Sequence, residues 1–330
     1  MFAFHLRLAG AVLLLTAPSL HSEVKPDKGL EAAKQAYEMS DYARAVQLLQ
    51  AESTADPGNG EVQLWLTRSY YELHEHDAAI SSGEKAVDID PQNSKYHEWL
   101  ARAYGLKAEH ASFLSALGWA KKTRKEFETA IKLDSRNLAA RQALVEYDCS
   151  APGIAGGGED KARAEIAEIA AIDPAEGHYA AGNCRRQKKD FTAADDEFTK
   201  ALQGHPQSVE LIYDIGDYAL RHSQADRLMA VAVAGEAVSS SDPRGKFYRA
   251  AAFVIKNERA AEAEQLLHDY LKVAPTRTAF PRPAVARYWL GQLYQQQGRT
   301  KEAASEYEHA LQLDPKYKPA QDALKKIRKN

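Results

Sequence analysis

An all-α solenoid of paired helices is what the 330-residue sequence predicts, and three observations carry that prediction. One set of small, aromatic and proline positions recurs along the chain, with Pro57 and Pro91 34 residues apart. Asp-Pro pairs at 56–57, 90–91, 173–174, 242–243 and 314–315 punctuate the recurrence. Proline cannot continue a helix and pushes the residue before it out of helical geometry, so each pair reads as a helix stop. Sustained alternation of β-branched residues, the mark of strands, is nearly absent between these stops.

The elements follow in order. Residues 1–22 read as a secretory leader: Arg7 is the positive start, Leu8 to Thr16 the short apolar run, and Pro18 its end. An uncleaved anchor helix is the alternative, although the run is short for a membrane span. The first unit carries Ala33, Tyr42, Ala45, Leu49 and Pro57; the second Leu66, Tyr70, Ala79, Ala86 and Pro91. A third opens at Leu100, Ala101 and Tyr104 and resumes at Phe127 and Ala130, which places an insertion near 109–118. A fourth holds Leu144, Ala162, Ile166 and Pro174, with a glycine-rich insertion at 151–160. Gly182, Phe191, Ala194, Phe198, Ala201 and Pro206 form the fifth. Ile215, Gly216 and Ala219 open a degenerate sixth that ends near Pro243, and Ala251, Ala263, Leu267 and Pro275 mark the seventh. The eighth is the clearest: Leu290-Gly291, Tyr294, Gly298, Ala303, Tyr307, Ala310-Leu311 and Pro315. A capping helix over 319–328 closes the array, and Lys325, Lys326, Arg328 and Lys329 suit both a polar end and a helix C-terminus.

Such units stack because a single helical pair cannot bury its own apolar face. Small residues belong where two helices approach most closely, which fits Ala45, Ala79, Ala194, Ala263 and Ala303.

Composition narrows the function classes. Hydrophobic residues at 45% and charged residues at 27% are near globular averages and exclude wholesale disorder. Lys and Arg number 43 against 46 Asp and Glu, for a net charge of −3, so no global field favours nucleic acid. Two cysteines exclude a disulfide-built scaffold and any four-Cys zinc module.

The eighth unit follows the order L-G-x2-Y, A-x3-F, P almost position by position, with Tyr307 in the aromatic place. On those residues the chain resembles the tetratricopeptide repeat (TPR) family, and the resemblance covers nearly all of 23–330. It implies a right-handed α-solenoid of about eight TPR-like helix-turn-helix units plus the capping helix. It also implies a concave groove, lined by first helices, that takes peptides or partner helices.

In that register Lys34, Arg68 and Arg102 form a column at intervals of 34, with Tyr37 and Tyr71 one turn away. Tyr179, Tyr213, Tyr248 and Tyr288 share one position in later units, and Trp99 and Trp289 sit one residue further on. Asn183, Asp217 and Gln292 occupy the place of the cations. The expectation is an N-terminal cradle for carboxylates and a C-terminal aromatic wall. The alternative for the aromatic columns is packing between repeats. Some TPR domains hold a peptide C-terminus with Lys, Arg and Asn on first helices, and the resemblance extends that role to these positions.

Three other features remain. Cys149 and Cys184 lie toward the ends of first helices in consecutive units, so they form either a disulfide or two buried thiols. The 151–158 glycines lack a preceding strand and a Gly-Lys-Ser/Thr, and read as a permissive loop rather than a nucleotide site. His74-Glu75-His76-Asp77 lacks metal-site spacing and reads as a turn. No catalytic set, metal or cofactor is expected, and the partner is a protein or peptide. The function expected is an exported, most simply periplasmic, non-catalytic adaptor. The alternatives are a subunit of an envelope transport or secretion complex, or a small-ligand binder using the insertion loops.

Overall fold

The computed structural model describes residues 28–273 and 280–328. The leader expected over 1–22 lies outside the described residues. Seventeen α-helices and one short 3-10 turn are described, and no strand occurs among the described residues.

The helices pair into eight successive hairpins. These are α1 (Lys28–Glu38) with α2 (Tyr42–Ala55), α3 (Gly60–Glu72) with α4 (His76–Ile89), and α5 (Ser94–His110) with α6 (Phe113–Leu133). Next come α7 (Leu138–Ser150) with α8 (Glu159–Ile172), α9 (Pro174–Gln187) with α10 (Phe191–Gln203), and α11 (Val209–Arg221) with α12 (Ala225–Val238). The last pairs are α13 (Arg244–Lys256) with α14 (Ala260–Val273) and α15 (Pro283–Gln296) with α16 (Thr300–Leu313), closed by α17 (Lys318–Ile327). First helices pack on the first helices that follow, as α3 does on α5, α7 on α9 and α11 on α13, so the array is a solenoid.

Local chemistry sets the boundaries. Asn59, Asn93, Asn137 and Asp173 cap helix starts by accepting from backbone N–H groups of the first turn, each cap worth about 1 kcal/mol. Asp56, Asp90 and Asp314, each followed by proline, leave helical geometry at the C-caps of α2, α4 and α16. Within six hairpins the chain turns tightly through left-handed residues: Ser40, His74, Lys189, Ser223, Asn257 with Arg259, and Gly298. The third hairpin has none, and the fourth turns through a longer loop that holds Gly156; both lie where the sequence departs from its period.

Those departures take different forms. The expected insertion at 109–118 is not a loop. It lengthens α5 to 17 residues and α6 to 21, whereas the other α-helices described have 10–14. The reason is local: apart from Gly118, the stretch is rich in helix formers and holds no proline. The 151–158 segment is a real loop, with the 3-10 turn Gly153–Ala155 and a left-handed Gly156 at φ 94°.

The small residues sit where close approach was expected. Ala45, Ala79, Ala194, Ala263 and Ala303 are fully buried. Gly291 faces the ring of Tyr307, and a Cβ there would lie 2.4 Å from a ring carbon, which is why this position is glycine. The cap α17 buries Ala320, Ala323 and Leu324 and leaves Lys325 and Lys326 in solvent.

Candidate functional site

The first helices of the three N-terminal units bring Lys34, Tyr37, Arg68, Tyr71, Trp99 and Arg102 onto one face, all half-buried. They join an interleaved ladder that includes Trp65, which sequence reasoning missed. Its signal was available, since Trp65 and Trp99 stand 34 residues apart, the period of the cation column. The Arg68 guanidinium lies 4.0 Å from the Trp65 ring, 4.8 Å from Trp99 and 4.9 Å from Tyr37. Tyr37 meets Trp65 edge-on at 5.3 Å, and Tyr71 meets Trp99 edge-on at 5.9 Å. Each such aromatic pair adds about 0.5–1.5 kcal/mol beyond burial.

Two of these three cations already have carboxylate partners, while Arg68 is held among rings and its buried Nε has no hydrogen-bond partner among the described residues. Lys34 pairs with Glu31 and Glu61, each at 2.8 Å, and those carboxylates raise its pKa. Arg102 donates from Nε to the buried Glu98 at 3.1 Å and stacks 5.4 Å from Trp99. Burial pushes the Tyr37 hydroxyl up to about 12, so it stays neutral and donates to Glu72. The face offers large ring surfaces held in place by cations rather than three free positive charges.

The aromatic wall expected further along is corrected. Tyr213 and Tyr248 are 2% and 1% exposed and stack on each other with centroids 5.6 Å apart. Asn183, at 3%, is buried too. The cause is packing: α13 closes on α11, so side chains at that seam are covered by the next helix. Arg244, 3% exposed, fills the space beside Tyr213, its guanidinium 4.3 Å from the ring. Tyr248 donates to Asp217 at 2.6 Å; burial raises the Asp217 carboxyl, opposed by that bond. Tyr248→Phe is expected to lower stability by about 1–3 kcal/mol, read as a lower urea midpoint. An unchanged midpoint would show that the hydroxyl contributes nothing. Tyr288 and Trp289 are half-buried, and Tyr288 packs on Tyr307 and the capping segment's Tyr317. Gln292 donates to the Tyr307 hydroxyl at 2.6 Å.

Both irregular hairpins converge on one pocket of about 480 Å³. At their starts α5 and α7 are tied, Asn137 donating to Ser94 at 2.9 Å and to Glu98 at 3.2 Å. Toward their C-terminal ends a space opens, roofed by the first turns of α6 and walled by Ala151, Pro152 and Ala155. Arg124 of α6 fixes the wall by donating to Asp148 and, at 3.2 Å, to the Gly156 carbonyl. Tyr71, Arg102 and Glu146 belong to the rim, so the pocket adjoins the cation-aromatic face. Arg68, Arg102 and Glu146 are each the ninth residue of α3, α5 and α7.

Cys149 and Cys184 are bonded, their Cα atoms 5.6 Å apart, which joins α7 to α9 beside this pocket. The basic cluster around 185–189 is largely engaged, Lys188 with Glu159 and Arg186 with Asp214. His74, Glu75 and the first turn of α4 form the turn expected, and no group of metal-ligating side chains occurs among the described residues. Among them, too, no helix is long and apolar enough to cross a membrane.

A tetratricopeptide repeat family model matches residues 36–103, and a second matches residues 284–317. Among solved structures, yeast Tom70 aligns over 96% of this chain and 66% of its own, at 14% identity and a TM-score of 0.57. A thermophilic TPR protein of Thermus thermophilus aligns over 92% of this chain and 98% of its own, at 14% identity and a TM-score of 0.33. A tetratricopeptide repeat protein from Parabacteroides merdae aligns over the same shares, at 12% identity and a TM-score of 0.40. At these identities the Tom70 likeness is one of fold, and the two looser superpositions add no argument. No curated protein matches the chain.

Proposed function

Since this is a tetratricopeptide repeat protein, we propose that it is an exported, non-catalytic scaffold that docks a partner polypeptide on the first-helix face of its three N-terminal units. The fold itself suggests protein–protein interaction. The observation that carries the finer reading is the ladder of Tyr37, Trp65, Tyr71 and Trp99 held by Arg68 and Arg102. These rings are half-exposed and pre-ordered, so little side-chain entropy is lost on binding. Aromatic and arginine side chains also dominate the energetics of protein interfaces. The leader-like sequence at 1–22 and the Cys149–Cys184 bond support export, because disulfides persist in oxidising compartments.

The test is an affinity capture with residues 23–330 against extract of the source organism, beside the Arg68→Glu/Arg102→Glu variant. Helical circular dichroism of both proteins is recorded first. A captured protein is expected to bind the variant at least tenfold more weakly. Equal capture by a folded variant moves the interface off this face.

A further inference from the structure

We propose that the pocket between α5, α6 and α7 is a binding site for a small amphiphile with an apolar body and a cationic head. This goes beyond polypeptide docking and rests on the adjoining pocket, which meets that face at Tyr71 and Arg102.

The pocket exists because the repeat is broken twice. The third hairpin is lengthened through α5 and α6, the fourth carries the glycine loop, and both irregular segments end at this space. An array held together only by stacking has no use for either departure. Its volume of about 480 Å³ falls in the range of small-molecule sites, roughly 300–1,000 Å³.

The interior asks for an apolar occupant. Leu106, Leu117 and Phe127 line it among alanines. Polar groups that reach it are already satisfied within the chain: Thr123 donates to the Trp119 carbonyl at 3.0 Å, and the Tyr147 hydroxyl donates to the Ala155 carbonyl. Phe113, which lines it, is 71% exposed, a large apolar side chain left in water at the edge of the cavity.

The mouth selects the head group. Four charged side chains stand close to it on first helices, and two of them are neutralised in place. Arg102 is matched by Glu98, and Arg186 by Asp214. Glu109 and Glu146 line the rim and form no direct ion pair among the described residues, although Arg102 and Arg186 act on Glu146 at longer range. With Arg102 and Arg186 balanced by Glu98 and Asp214, Glu109 and Glu146 leave the mouth net negative, which complements a cation attached to a hydrocarbon body and repels an anion. The walls are held for this role by Arg124, which ties α6 to Asp148 and the Gly156 carbonyl, and by the Cys149–Cys184 bond.

The test uses N-phenyl-1-naphthylamine, an apolar fluorophore that brightens on leaving water, with the full chain after the leader. One site per chain is expected. Decyltrimethylammonium, kept below micelle-forming concentration, should displace the fluorophore at least tenfold more effectively than decanoate. Ala116→Trp fills the pocket and should abolish the signal, and Ala120→Leu should weaken it. Glu109→Gln/Glu146→Gln should retain the signal and erase the preference for the cation. No signal in the wild type, or an undiminished signal in a folded Ala116→Trp chain, overturns the site. Equal displacement by decanoate overturns the head-group assignment. Capture of a polypeptide on the cation-aromatic face is scored separately with Arg68→Glu alone, a residue outside the pocket lining, so failure of one proposal leaves the other standing.

Discussion

Replacing Arg124 with methionine is expected to lower the free energy of unfolding by about 3–5 kcal/mol, the cost of removing one partner from a buried ion pair. Asp148 is 2% exposed and receives the Arg124 guanidinium, which also donates to the Gly156 carbonyl. Without Arg124 the carboxylate stays buried without its hydrogen-bonded cation, leaving only the weaker pull of Lys161. The deficit should depend on pH. Burial holds the Asp148 carboxyl above its ordinary value of 3.8, and Arg124 opposes that rise. A carboxyl whose folded pKa is raised contributes most below its unfolded value, and that contribution is lost as pH climbs through the folded one. Removing Arg124 raises the folded pKa further, so the variant's deficit should widen from about pH 5 to about pH 8. Arg124→Met/Asp148→Asn removes the stranded charge and should recover most of the loss. Urea titrations at both pH values decide it. A deficit that is flat with pH, or no recovery in the double variant, would sink the claim that a stranded Asp148 charge is the cause.

The same residues show what the sequence could and could not reveal. Packing positions were legible because a solenoid imposes one requirement on every unit. Ala79, Ala194 and Ala303 must let two helices meet, so the same small residue recurs and is fully buried each time. Depth at a given register was not legible. Tyr213 and Tyr288 share one position on first helices, yet Tyr288 is half-buried and Tyr213 is sealed beneath Arg244 and Tyr248. That outcome depends on how tightly the next helix closes, which is set by side chains a unit away.

The irregular hairpins carried the least sequence signal and the most structural consequence. Periodicity located the 109–118 insertion but gave no hint that it would extend two helices instead of forming a loop. The pocket needs that extension, the glycine loop and the divergence of α5 from α7 together. No single motif encodes it. A buried Arg–Asp pair whose members stand 24 positions apart likewise has no spacing rule to announce it.

Removing the disulfide is the second large effect expected. The Cys149–Cys184 bond closes a loop of 35 residues, for which the loop-closure relation gives about 3–4 kcal/mol of stabilisation. The Cys149→Ser/Cys184→Ser variant should lose stability of that order, and thiol reductant should shift the wild type alone by a similar amount. In an array whose units contact only their neighbours, the loss need not spread evenly. Amide exchange should therefore quicken most in α7, the 151–158 loop, α8 and α9, and least in α15 and α16. The loop's wall residues Ala151 and Pro152 lie two and three positions after Cys149, so fluorophore binding in the pocket should weaken in the variant as well. Unchanged exchange in α7 and α9 would mean that α7–α9 packing holds the junction without the bond. Accelerated exchange there, with an unchanged fluorophore signal, would place the pocket's rigidity in the Arg124–Asp148 tie alone.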